Sequence, residues 1–303
     1  MIPTFIIFLR EGVEASTIVA ILLSYLDRIG MRRHFRDVFW GVAAAFVLIL
    51  GGGIAAYYLI KHYDGSNVQT VFETITYLLA TIILTYMTFW MQKNARGLSH
   101  ELERRSQDVL STGSRWGLAL LAFQAVGREG LETMVFTLAI VFASSRQAAT
   151  PVHGNLLIVG AALGLLVAMV VAFAIYRLGT RINMRRFFRV LGVTLMIFAA
   201  GLLSDAIGNM QELGWLPFGR HVLWDTQGVV SQGSNLGDVL HTLVGYADHP
   251  TVLQVVTWVI YVLISIVVFM RMGRGPRRST LERAVRADHS TPTPTLNAPG
   301  RER

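Results

Sequence analysis

The chain has 303 residues, 53% of them hydrophobic and 15% charged, with a formal net charge of +8. Soluble domains carry roughly 25% charged residues, so the composition excludes a large water-soluble core and identifies a membrane protein. Cysteine is absent, which excludes disulfides, iron–sulfur clusters, thiolate zinc sites and c-type haem attachment and leaves oxygen and imidazole as metal ligands.

Seven apolar stretches are long enough to cross about 30 Å of hydrocarbon as helix. In chain order they are Ile2 to Leu26, Val38 to Ile60, Val71 to Met91, Trp116 to Phe142, Leu156 to Tyr176, Phe187 to Ser204 and Val252 to Met270. The first has no charged segment before it and no small-residue cleavage site after it, so it reads as a retained helix rather than a signal peptide. Alternate connections are basic: Arg28, Arg32, Arg33 and Arg36 follow the first span, Lys93, Arg96, Arg104, Arg105 and Arg115 the third, and Arg177, Arg181, Arg185, Arg186 and Arg189 the fifth. Lys61, Arg146 and Arg220 are the lone basic residues of the other three connections. With the arginines after Met270, 22 of the 27 basic residues fall on one side, three on the other and two within spans. The positive-inside rule then puts the N-terminus outside and the C-terminus in the cytoplasm. This placement explains the positive charge by topology, without nucleic acid. Residues 1–272 are expected to form the transmembrane domain. Residues 273–303 are rich in Arg, Thr and Pro, cannot bury a core, and are expected to be a disordered basic cytoplasmic tail whose start rests on anionic lipid.

Charges inside spans carry the functional information. The first span contains Arg10-Glu11-Gly12-Val13-Glu14 and the fourth Arg128-Glu129-Gly130-Leu131-Glu132, two copies of R-E-G-x-E. A charge at the bilayer centre costs ~2.5–3.5 kcal/mol on insertion scales, so six of them mark the default functional site. At 100° per residue the second Glu lies about 40° and the first about 100° from the Arg, so one helix face carries all three. Gly12 and Gly130 let another helix approach beside the carboxylates. The first motif lies on a helix running inward and the second, three spans later, on one running outward. This is the pattern of an inverted repeat of helices 1–3 and 4–6, with the site at the midplane and the seventh helix outside the repeat. An i,i+4 ion pair within each helix would neutralise Glu14 and Glu132, but it leaves Glu11 and Glu129 uncompensated. Four carboxylates and two guanidinium groups carry about −2, which a hard di- or trivalent cation would complete, and carboxylate oxygens suit Mg²⁺, Ca²⁺, Mn²⁺ and ferric iron.

Weaker signals lie nearer the outside. Glu73 begins the third span, and Asp205 and Glu212 lie near the outer end of the sixth; they form a candidate path inward, although carboxylates at helix ends are more often simply solvated. His62, His153, His221, His241 and His249 fall in outer connections near Asp64, Asp225, Asp238 and Asp248. Their spacing matches no ligand motif, so they read as surface residues. The run Tyr86 to Met91 reads as interface anchoring and packing, with Met87 able to line a path.

The two motifs resemble the hallmark of the oxidase-dependent iron permease family, the iron/lead transporter type with fungal high-affinity and bacterial EfeU-type members. The resemblance extends to Leu84-Thr85-Tyr86-Met87-Thr88-Phe89-Trp90-Met91, to Ala199-Ala200-Gly201-Leu202-Leu203 and to Gln211-Glu212-Leu213-Gly214-Trp215-Leu216-Pro217, and covers all but about the last 30 residues. It implies an all-α polytopic protein of the cytoplasmic membrane that takes up iron as Fe³⁺ after an extracytoplasmic oxidase or iron-delivery partner has acted on Fe²⁺. It implies Glu11, Glu14, Glu129 and Glu132 as metal ligands and Arg10 and Arg128 as their charge partners. Iron is then cargo rather than a prosthetic group. A carrier of another hard or heavy divalent cation, Mn²⁺ or Pb²⁺, is the alternative within transport. A retinal protein is disfavoured because the seventh span has no lysine, and a receptor has no evident need of two acidic motifs. An intramembrane carboxylate metalloenzyme is disfavoured because such sites generally use Glu-x-x-His, whereas no histidine lies within a span and no His-Glu-x-x-His occurs; the protein is not expected to be an enzyme.

Overall fold

The computed structural model describes residues 2–63, 65–94, 104–109, 116–145, 154–178, 184–232 and 234–273. Arg96, Arg115, Arg146, Arg181, His153, Asp64 and the chain beyond Gly273 lie outside the described residues. The longer helices are α1 (Ile2–Arg28), α2 (Phe35–Lys61), α3 (Asn67–Asn94), α4 (Gly117–Ser145), α5 (Gly154–Leu178), α6 (Met184–Glu212), α7 (Asn235–Val244) and α8 (Val252–Gly273). Five of them, α2, α3, α5, α6 and α8, contain stretches apolar and long enough to cross a membrane. At 27 and 29 residues, α1 and α4 match them in length but carry the charged motifs.

Helix pairing follows from small residues. α1 lies along α5, α2 along α4 and α3 along α6, while α1 and α4 meet each other at the centre and α8 leans on α6. A side chain at Gly164 of α5 would run into the backbone of α1 near Phe5 and Leu9, and one at Gly41 of α2 into the backbone of α4 at Ala119. Such close approach lets dispersion hold helices together where lipid removes the hydrophobic drive. The interior between α1, α3, α4 and α6 is filled by Ile7, Tyr77, Leu84, Phe136, Ile140, Phe198 and Leu202. α2, by contrast, exposes Phe39, Trp40, Phe46, Val47, Leu48 and Ile54, an apolar surface suited to lipid and costly in water.

Two features differ from the sequence expectation. The sixth helix does not stop at Ser204 but runs on to Glu212, because Ala206, Asn209 and Gln211 are buried on its inner side. It stops where Gly214 adopts φ +79° and the Trp215 N–H donates to the Met210 carbonyl at 2.9 Å, a glycine C-cap. The connection after it also contains a helix, α7, begun by the Ser234 side chain accepting from the Gly237 N–H and ended at left-handed Gly245. The ends of that connection are tied together: the Leu223 N–H donates to Pro250 O at 2.9 Å, Thr226 N–H to Asp248 O at 3.0 Å and Val252 N–H to His221 O at 2.9 Å.

Candidate metal centre

The two charged motifs meet where α1 crosses α4. Gly12 faces α5, where an added Cβ would fall 2.8 Å from the Ala168 Cβ, and Gly130 faces α2, where it would strike the side chain of Ile49. The close packing expected beside the carboxylates is therefore present in both copies. Oxygens of Glu11, Glu14 and Glu129 lie within 4.8 Å of one another, and all three residues are buried. That spacing lets three carboxylates from two helices share one ion.

The arginines are not equivalent. Arg10 is 3% exposed, with Nη1 3.1 Å from Glu11 Oε1 and Nε 3.3 Å from Glu14 Oε1. The contact with Glu14 is a directed hydrogen bond, whereas the one with Glu11 is a charge contact without hydrogen-bond geometry. Arg128 pairs with Glu132 at 3.2 Å but leaves 47% of its side chain exposed. Its guanidinium lies 5.3 Å from the centroid of the Trp90 ring and donates to Met87 Sδ at 3.5 Å. Of the run read as interface anchoring and packing, Met87 and Trp90 pack against this charge, while Tyr86 faces outward. Both i,i+4 ion pairs exist, yet they leave carboxylate oxygens unserved: both oxygens of Glu11, Oε2 of Glu129 and Oε2 of Glu132 are buried with no hydrogen-bond donor. Buried anionic oxygens without donors are costly, and a cation among them removes that cost.

A cavity of about 550 Å³ reaches Glu11 and Glu129 from between α1, α2 and α4. Phe8, Phe46, Ile54 and Met134 line it, and apart from the two glutamates its polar groups are Thr133, Thr137, Tyr57 and Tyr58. It offers a cation few ligands on the way.

A second, polar cavity of about 270 Å³ lies beside the connection between α6 and α8, lined by Tyr77, Ala143, Asp205, Asn209, Gln232, His241, Asp248, His249 and Gln254. Of the three outer carboxylates singled out in the sequence, only Asp205 lines it. Glu73 is buried at 1% exposure and accepts from Gln69 Nε2 at 2.9 Å, so it is not a solvated helix end. Glu212 is exposed at the end of α6. His241 overturns the surface reading of the outer histidines: it is buried, with Nε2 3.4 Å from Asp205 Oδ2. Its Nδ1 is 2.7 Å from both Tyr246 O and Gln232 Nε2. Amphipathic spacing carried no signal for it: at 100° per residue Leu236, Val239, Leu240 and Leu243 lie on the opposite side of α7 from His241, and Leu236 is exposed. His249 stands at the rim, 3.0 Å from Asp248 Oδ1 and 3.1 Å from Asp225 Oδ1. The Asp248 hydrogen bond and the nearby Asp225 charge raise its pKa despite slight desolvation. Slight burial pushes the Asp248 carboxyl up, but the Gln232 N–H and His249 outweigh it and hold the group below its ordinary range.

Over residues 1–273 the sequence matches the family model described as the Iron permease FTR1 family. It is 35% identical over 284 residues to the protein named Ferrous iron permease EfeU of Escherichia coli O157:H7, covering 92% of this chain and 100% of that one. A protein of the same name from Yersinia pestis is 34% identical over 289 residues, 95% of this chain and 98% of the relative. The Putative inactive ferrous iron permease EfeU of Escherichia coli strain K12 is 36% identical over 286 residues, 92% of this chain and 100% of the relative. No solved structure matches the chain.

Proposed function

The chain belongs to the iron permease FTR1 family, and on that premise we propose that it is a multi-pass permease of the cytoplasmic membrane that takes up iron through the carboxylates of its two R-E-G-x-E motifs. One observation carries the reading: Glu11 and Glu14 of the first motif and Glu129 of the second bring oxygens within 4.8 Å of one another. An ion held there touches both halves of the molecule. Glu132, held by Arg128, is the fourth carboxylate of the set, and Arg10 and Arg128 offset part of the acidic charge while no iron is bound.

In this reading α1 to α6 and α8 are seven spans, with the N-terminus outside and the C-terminus inside. Residues 1–272 form the permease domain and 273–303 a basic cytoplasmic tail. Helices α1 to α3 and α4 to α6 form an inverted repeat. Exchanging α1 with α4, α2 with α5 and α3 with α6 turns the α1–α5 packing into α4–α2 and returns α3–α6 and α1–α4 to themselves, which matches the main helix pairings. Gly12 against α5 and Gly130 against α2 obey the same exchange. An inverted repeat with its site at the repeat interface is the architecture of alternating access.

The relatives are named ferrous iron permeases, so the ion supplied from outside is Fe²⁺. The all-oxygen ligand set is hard and suits Fe³⁺ better, which supports an extracytoplasmic oxidase or iron-delivery protein acting before the permease. Mn²⁺ or Pb²⁺ is the competing cargo. Uptake of radioactive iron into proteoliposomes, with Fe²⁺ and Fe³⁺ supplied separately and Mn²⁺ as competitor, tests the assignment. Uptake of one iron species that resists excess Mn²⁺ and disappears in Glu11→Gln and Glu129→Gln is expected; uptake unchanged in both variants would refute the central site.

A further inference from the structure

We propose that the outer polar cavity is a second cation site, separate from the central carboxylates, that takes a divalent first-row transition metal on His241 and Asp205 with Asp248 and His249 at its mouth. Its function as a loading station rests on the permease reading; its existence as a metal site does not.

The geometry around His241 is that of an oriented ligand. The Tyr246 carbonyl can only accept and Gln232 Nε2 can only donate, and both lie 2.7 Å from Nδ1; a cation at Nε2 selects the tautomer in which Nδ1 carries the proton and donates to Tyr246 O. Nε2 then directs its lone pair toward Asp205 Oδ2, 3.4 Å away. An imidazole fixed through one nitrogen to a backbone carbonyl, with the other turned to the site, is the usual support of a metal-binding histidine. Two ligands about 2.1 Å from one ion lie about 3 Å apart when adjacent, so Nε2 and Oδ2 need to move by only a few tenths of an ångström to share it. Asn209 and Gln254 line the same cavity and can add neutral oxygens.

The cavity also has a graded approach. Asp225 is 66% exposed and His249 41%, whereas Asp248 is 13% and His241 only 2% exposed. Gln232 joins the rim to the interior: its backbone N–H donates to Asp248 Oδ2 at 3.1 Å and its side-chain Nε2 lies 2.7 Å from His241 Nδ1. Ligating groups thus follow one another from solvent to the face of α6.

Distance separates this site from the central one. Ala143 lines the cavity eleven residues beyond Glu132 on α4, about 16 Å along the helix at 1.5 Å per residue. Tyr77 lines it ten residues before Met87 on α3, about 15 Å by the same measure. Tyr77, Phe136, Ile140 and Leu202 pack between the two levels. The chemistry differs too: an imidazole nitrogen beside carboxylates favours Fe²⁺, Mn²⁺, Co²⁺ or Zn²⁺ over Mg²⁺ and Ca²⁺, while the all-oxygen central set is harder.

The test uses the purified full-length protein and Co²⁺, whose visible absorption reports nitrogen and oxygen ligation. In the quadruple variant Glu11→Gln, Glu14→Gln, Glu129→Gln, Glu132→Gln, one Co²⁺ is expected to remain bound and to resist a large excess of Mg²⁺. Adding Asp205→Asn or His241→Gln should weaken it at least tenfold; both replacements keep the side chain's approximate size, and the melting temperature reports that the fold persists. A quadruple variant that binds no Co²⁺, or binding unchanged by both added replacements, overturns the proposal. A quadruple variant that binds as much Co²⁺ as the native chain supports the outer site while counting against the central one.

Discussion

Arg10 and Arg128 occupy the same motif position but different surroundings, and the difference sets what their loss should do. Arg10 is enclosed and touches two carboxylates, so Arg10→Ala leaves Glu11, Glu14 and Glu129 crowded without a cation. Removing one partner of a buried ion pair costs about 3–5 kcal/mol. Arg128 keeps 47% of its side chain exposed, so its loss leaves less unpaired charge buried. Arg10→Ala should therefore lower the melting temperature and abolish iron uptake, whereas Arg128→Ala should melt close to the native protein and lose only part of its uptake. Arg10→Lys should retain some uptake, because it keeps the charge but loses the planar fork that serves two carboxylates at once. Melting curves and uptake measured on the same preparations decide this; equal losses in the two alanine variants would contradict it.

Between helices, the close approaches predict a graded response to one methyl group. At Gly12 the obstacle is the Ala168 Cβ, fixed to its backbone, whereas at Gly130 it is the flexible end of Ile49. Gly12→Ala should destabilise by about 1–3 kcal/mol, the usual cost of overpacking, and lower uptake. Gly130→Ala should cost less, because Ile49 can change rotamer. Adding Ala168→Gly to Gly12→Ala should restore both stability and uptake; no recovery would show that Gly12 acts other than by space.

The outer segment gives a second prediction at this scale. His249, with its raised pKa, stabilises the strap to Asp225 and Asp248 fully below the ordinary histidine value, and that contribution is lost as pH rises through the raised one. Asp248, with its lowered pKa, contributes above the ordinary carboxylate range and loses that contribution as pH falls through the lowered value. The strap should be tightest in mildly acidic solution and loosen toward alkaline pH. Trp224 reports on it, because its indole N–H donates to Ala247 O at 3.3 Å. The fluorescence difference between native protein and Trp224→Phe should change as pH rises through the His249 transition, and His249→Gln should remove that change.

For the whole molecule, the absence of cysteine makes orientation directly measurable. Asn67 at the start of α3 and Gln107 in the short helical segment 104–109 are both exposed. The distribution of basic residues predicts that a membrane-impermeant maleimide labels Asn67→Cys on intact cells and Gln107→Cys only after permeabilisation. External labelling of both Asn67→Cys and Gln107→Cys would mean that α3 does not cross the membrane and would remove the inverted-repeat reading.

Helix positions were largely readable from the chain, because a span must bury its backbone polar groups in its own hydrogen bonds and present some twenty apolar residues to lipid. The motif residues were readable for the complementary reason: charge within such a stretch is too costly to be incidental. Periodicity could put Arg10, Glu11 and Glu14 on one face, yet it could not say that Glu129 joins Glu11 and Glu14 or that Arg10 is enclosed while Arg128 leans on Trp90. Those outcomes depend on how closely α1 and α4 approach α5 and α2, which local sequence does not encode. The extension of α6 and the pairing of His241 with Asp205 were likewise settled by tertiary packing. Asp205 and His241 are 36 residues apart, and only the folding of the connection between α6 and α8 over α6 brings an imidazole against that carboxylate.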